Sequence, residues 1–121
     1  MAKKILVVED SATMVSLLKA RIEASGFEVI AAADGTDGLA KIKDEKPDLV
    51  ILDVRMPGMD GFEVCRLAKA DPQTKDIPII FVTTASQQKD LARGKEVGGD
   101  GYITKPYDGK LIITEINKLL K

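Results

Sequence analysis

The chain has 121 residues, 45% of them hydrophobic and 31% charged, which fits one globular domain with a real core and excludes a long disordered segment. Eighteen Lys and Arg against nineteen Asp and Glu give a formal charge of -1, with basic residues scattered among acids, so the footprint of a nucleic-acid binder is missing. With no His and one Cys, the chain excludes a Ser-His-Asp triad, a His-ligated zinc and an internal disulfide, leaving carboxylates, hydroxyls and lysines for any chemistry.

The opening "MAKKILVVED" is too short in its apolar part for a signal-peptide core or a membrane span, and nothing later in the chain approaches spanning length. Together with the single Cys65, this points to the cytoplasm. Residues 4–8, "KILVV", predict a first strand that runs into Glu9 and Asp10. Met14, Val15, Leu18 and Ile22 have helical spacing, and Gly26 ends that helix. "EVIAA" (28–32) predicts the second strand, and Leu39 with Ile42 a second helix ending before Pro47. "DLVIL" (48–52) predicts a third strand that closes on Asp53, followed by a turn through Pro57, Gly58 and Gly61.

A third helix begins at Asp60, with Glu63 three residues later as a capping box, and stops at Asp71-Pro72. "IPIIFVT" (77–83) predicts the fourth strand, ending in Thr83 and followed by Thr84. Ser86 caps a fourth, weaker helix with Gly94, Gly98 and Gly99 at and beyond its end. "GYIT" (101–104) predicts the fifth strand, followed by Lys105 and Pro106. Asp108 then caps a fifth helix carrying Leu111, Ile112, Ile116 and Leu119.

Short β-branched runs alternating with amphipathic helices predict an α/β fold: an open five-stranded parallel sheet with helices on both faces, (βα)5. Ligands of such sheets sit at the carboxyl ends of the strands, where Glu9, Asp10, Asp53, Thr83 and Lys105 converge. Three carboxylates in one cleft repel one another and need a cation. All-oxygen donors without His or Cys favour Mg²⁺ over the fuller cage that Ca²⁺ prefers. Taken singly, Asp53 suits an ordinary turn cap and Glu9-Asp10 a negative helix start; together, a metal, an ammonium and a hydroxyl around one Asp suit a phosphoryl group.

"ILVVED", "LVILDVRMPGMDGFE", "PIIFVTTAS" and "GYITKPY" resemble the receiver domain of bacterial two-component response regulators, over nearly the whole of 1–121 and in one domain. The resemblance implies a flavodoxin-like sheet with strand order 2-1-3-4-5, and Asp53 as phosphoacceptor. It implies Mg²⁺ held by Asp10, Asp53 and the backbone carbonyl of Arg55, with Glu9 completing the acidic pair. It implies Thr83 and Lys105 at the phosphoryl group, a cis Lys105-Pro106 bond, and Tyr102 as the aromatic that reports phosphorylation to the α4-β5-α5 face. The implied partners are a sensor histidine kinase or phosphotransfer protein and a downstream target or output domain, with no direct nucleic acid or membrane contact.

A flavin or nucleotide binder would need a phosphate loop where "VVEDSAT" places two acids. An aspartyl-phosphate hydrolase would carry a second Asp where Arg55 stands, and an inactive receiver would have lost Asp53, Lys105 or the acidic pair. Thr84, where a small residue is usual, and Arg55 depart from the commonest pattern and bear on the lifetime of the phosphorylated state. Met56 and Met59 are read as covering the loop and Cys65 as an inert core residue.

Overall fold

The computed structural model describes residues 2–83, 88–105 and 109–120, with the side chains of residues 88–90 left aside. Strands and helices alternate throughout: β1 (Lys4–Val8), α1 (Ala12–Ala24), β2 (Glu28–Ala32), α2 (Gly35–Glu45), β3 (Leu49–Asp53), α3 (Gly61–Ala70), β4 (Ile79–Thr83), α4 (Gln88–Glu96), β5 (Gly101–Thr104) and α5 (Gly109–Leu119). The five strands form one parallel sheet, as the alternation predicts, in the order β2-β1-β3-β4-β5 that the resemblance implies.

Every residue of β3 and β4 is buried, because helices cover both faces of the sheet. On one face Leu6, Val8, Val50, Leu52 and Phe81 pack with Ile42 of α2 and Val64, Cys65 and Ala68 of α3. On the other, Ile5, Val7, Ile51, Ile80 and Ile103 pack with Leu18 and Ile22 of α1 and Ile112 and Ile116 of α5. Alternate residues of one strand thus serve two separate cores, which explains the unbroken apolar runs. Cys65 is fully buried, and burial pushes its thiol up to about 11, consistent with an inert core residue.

Two strand boundaries shift. Asp53 is the last residue of β3 and pairs with Val82, whereas Asp48 lies before the strand and its carboxylate accepts from the Lys4 N–H at 2.7 Å. β4 starts at Ile79, because Ile77 donates its N–H back to Thr74 in a turn and Pro78 has no N–H to give. The helix starts rest on side-chain caps. Asp60 accepts from the Glu63 N–H at 3.0 Å as expected, but the Glu63 carboxylate turns to Arg66, at 2.6 Å, instead of closing the capping box. Ser11 and Asp34, which the hydrophobic pattern does not single out, cap α1 and α2 through the Met14 and Asp37 N–H groups. The expected caps at Ser86 and Asp108, the departure at Thr84 and the Lys105-Pro106 bond lie outside the described residues. No helix among the described residues is long and apolar enough to cross a membrane.

Candidate functional site: an acidic cluster at the strand ends

Register brings the predicted residues together. Val8 of β1 pairs with Leu52 of β3, so the next residues, Glu9 just past β1 and Asp53 closing β3, stand side by side at the carboxyl edge of the sheet. β3 is the strand between β1 and β4, and Thr83 closes β4 opposite Thr104 of β5, which places Lys105 at the same rim. The Lys105 N–H donates to the Thr83 carbonyl at 2.6 Å, holding the chain beyond β5 against the end of β4.

Carboxylate oxygens of Glu9, Asp10 and Asp53 lie within 4.8 Å of one another. Asp53 is 7% exposed and Glu9 5%, whereas Asp10 faces solvent. Lys105 Nζ donates to Glu9 Oε1 at 3.0 Å and stands 3.8 Å from Asp53 Oδ2, so in this arrangement the lysine pairs first with Glu9. The second Glu9 oxygen accepts from the Ser11 N–H at 3.2 Å, and Asp53 Oδ1 faces the Arg55 N–H at 3.4 Å.

These contacts set the proton balance. Burial, then hydrogen bonding to Glu9 and repulsion from its charge, push Asp53 up to about 7, against the smaller pull of Lys105 and the Arg55 N–H. For Glu9, burial acts upward, but Lys105, Asp10, Asp53 and Ser11 together outweigh it and hold the carboxyl below its ordinary value. Asp10 is raised, chiefly by its hydrogen bond to Glu9. Carboxylates this close repel one another when all are charged, so crowding favours the protonated form of Asp53 up to about neutral pH. An all-oxygen set of this kind, open to solvent through Asp10, fits a hard divalent cation that keeps some of its waters, as Mg²⁺ does.

The loop after Asp53 is shaped by residues that the hydrophobic pattern cannot reveal. At Gly61 a Cβ would fall inside contact distance of the Asp53 carbonyl oxygen and 2.9 Å from the Val54 Cα, and at Gly35 one would strike the Met59 backbone. Only glycine allows α3 to start this close to the end of β3. Met56 is buried and Met59 half-buried against the core beneath this loop. Gly61→Ala is therefore expected to cost about 1–3 kcal/mol in urea unfolding, and to shift the amide resonances of residues 53–55. Retention of both stability and shifts would refute the close approach.

Thr83 is fully buried at the end of β4. Tyr102 is half-buried on β5, its ring 6.1 Å from that of Phe81 and its hydroxyl oxygen enclosed, so the ring occupies an inward position in this structure. Arg55 is exposed, beside a cavity of about 670 Å³ between the loop after β3 and α4 that Phe62 and Arg93 also line. Arg93 lies over the Phe62 ring at 4.9 Å, a contact between α4 and α3 with no signal in the sequence pattern.

Residues 5–117 match the family described as "Response regulator receiver domain". Protein PilH of Pseudomonas aeruginosa is 42% identical over 117 residues, 97% of each chain. Response regulator PleD of Caulobacter vibrioides is 40% identical over 121 residues, which are all of this chain but 27% of PleD. The chemotaxis protein CheY4 of Vibrio cholerae, a solved structure, matches with a TM-score of 0.94 and 32% identity, over 99% of this chain and 100% of that one.

Proposed function

The chain belongs to the response regulator receiver family of two-component signalling, and from that premise we propose that it is a phosphorylation-dependent switch in which Asp53 accepts the phosphoryl group. The observation that carries this reading is the setting of Asp53: nearly buried, at a strand end, with Glu9 and Asp10 beside it and Lys105 Nζ at 3.8 Å. An Asp oxygen attacks phosphorus in a phosphohistidine of a sensor kinase or phosphotransfer protein. The P–N bond breaks, and the imidazole leaves with the electron pair. Asp10, Asp53 and the Arg55 carbonyl would hold Mg²⁺ next to Glu9, where the cation supplies charge neutralisation for the phosphoryl oxygens.

Lys105 stands where a modest movement of its ammonium, from Glu9 toward Asp53, would let it meet those oxygens, and Thr83 supplies a hydroxyl from the neighbouring strand end. The whole of 1–121 serves as one receiver domain, acting in the cytoplasm as a signalling unit rather than on external substrates. Its output is a downstream protein or an attached domain, reached through α4, β5 and α5. Incubation with a phosphohistidine protein and Mg²⁺ is expected to add one phosphoryl group by intact mass. No addition with any such donor or with acetyl phosphate would sink the reading.

The switch is expected to run through Thr83. Its hydroxyl, drawn toward a phosphoryl group, would unload space behind β4 and change the packing of the Tyr102 ring on Phe81. Beryllofluoride should therefore shift amide resonances over residues 91–104 in wild type, and Thr83→Ala should keep the shifts near Asp53 while losing most of those beyond β4. Equal shifts in both proteins would show that Thr83 is not the link.

A further inference from the structure

The cavity of about 670 Å³ between the loop after β3 and α4 stands apart from the acidic cluster, since none of Glu9, Asp10, Asp53 and Lys105 lines it. Its floor is apolar, built from Val54, Met56 and Phe62, three buried residues that hold it in shape. Its walls carry Arg55, Arg93 and Asp60, two positive charges against one negative. The volume falls in the range of small-molecule sites, and an apolar floor with a few placed polar groups is their usual make-up.

Arg93 gives this cavity its chemistry. Its guanidinium carbon lies over the Phe62 ring, 4.9 Å from the centroid, which steadies a long side chain on the exposed side of α4. Glu63, the acid whose charge it feels, is already held by Arg66, whose Nε and Nη2 donate to the two carboxylate oxygens at 2.8 and 2.6 Å. Asp60 is the cap of α3, its Oδ1 taken by the Glu63 N–H at 3.0 Å. Among the described residues, no acceptor pairs with the Arg93 donors. A guanidinium held on a ring with its N–H groups unused suits an oxyanion, because its fork matches a carboxylate or phosphate and little side-chain freedom is lost on binding.

We infer that this cavity is a binding site for a small organic anion, whose carboxylate or phosphate meets the Arg93 donors while an apolar or aromatic body lies against Val54, Met56 and Phe62. Arg55 adds to the positive field at the mouth. The inference stands apart from the reading of Asp53, since it needs neither a phosphoryl group on the protein nor a metal.

Amide shift titrations test this in chelator, where the crowded acids at the strand ends repel anions. Phenyl phosphate and phenylacetate are the probes, with inorganic phosphate and benzyl alcohol as the head group and the body alone. Either probe should give saturable shifts at residues 54–62 and 91–95, with a Kd of about 1 mM, and the tighter of the two identifies the head group. Each part alone should bind about tenfold more weakly or worse. Arg93→Gln should weaken the probes about tenfold, and Arg93→Lys, which keeps the charge but loses the fork, should stay nearer to that variant than to wild type. Unchanged amide positions in β1, β2 and α1 verify that both variants are folded. Probe shifts that miss residues 54–62 and 91–95, inorganic phosphate that binds as tightly as phenyl phosphate, or an Arg93→Gln variant that binds like wild type would each overturn the site.

Discussion

Asp53→Asn is expected to take up no phosphoryl group under conditions that fully load the wild type, the largest single-residue effect this structure predicts. The substitution keeps the shape of the side chain, so the buried position at the end of β3 remains filled and the Arg55 N–H keeps an oxygen acceptor. What it removes is the carboxylate proposed as the nucleophile, for which an amide oxygen is no substitute in attack on phosphorus. Glu9 is directed at Lys105 and the Ser11 N–H, and Asp10 faces solvent, so neither stands in the place of Asp53. Intact-mass measurement after incubation with acetyl phosphate and Mg²⁺ reads the result directly. The same adduct on the variant would mean that the acceptor is another residue.

Mg²⁺ binding is expected to depend steeply on pH, because the cation must displace the proton that crowding places on Asp53. With that carboxyl raised from 3.8 to about 7 in the metal-free protein, affinity should rise about tenfold per pH unit below 7 and level off above it. The stability consequence carries a definite sign. A carboxyl raised on folding contributes stability that is fully present below its unfolded value, and that is lost as pH rises through its folded value. Metal-free wild type therefore loses this contribution on the way to about pH 8, while Glu9, lowered on folding, acts in the opposite direction.

Asp53→Asn removes the buried acid, so without metal at about pH 8 it should be more stable than wild type by about 1–2 kcal/mol. Mg²⁺ should reverse the order by stabilising only the wild type. Calorimetric titration across pH with thermal unfolding in chelator checks both. Affinity that does not change with pH, or a variant less stable than wild type in chelator, would contradict the protonation of Asp53.

The sequence by itself carried the architecture, since strands buried on both faces must be apolar at every position and so stand out as "KILVV", "LVIL" and "IIFV" between helical repeats. It also carried the identity of the rim residues, because a charged group that ends such a run is costly unless something uses it. Ser11 and Asp34 were within reach of the same reading as polar residues just ahead of helical spacing, a local signal that the apolar pattern overshadowed.

Only the tertiary structure decided the rest, and in each case because the deciding distance joins residues far apart in the chain. Pairing of Val8 with Leu52 sets Glu9 beside Asp53, and Lys105 then chooses Glu9, at 3.0 Å, over Asp53. That choice leaves Asp53 with its carboxyl raised to about 7, a result of three-dimensional crowding that no spacing rule contains. The glycine at position 61 looks like turn composition in the sequence, and becomes a requirement only when α3 is packed against the Asp53 carbonyl. Asp100 likewise looks like a loop residue until the fold brings Lys69 of α3 and the Ile79 N–H to its carboxylate, partners that lie more than 20 residues away in the chain.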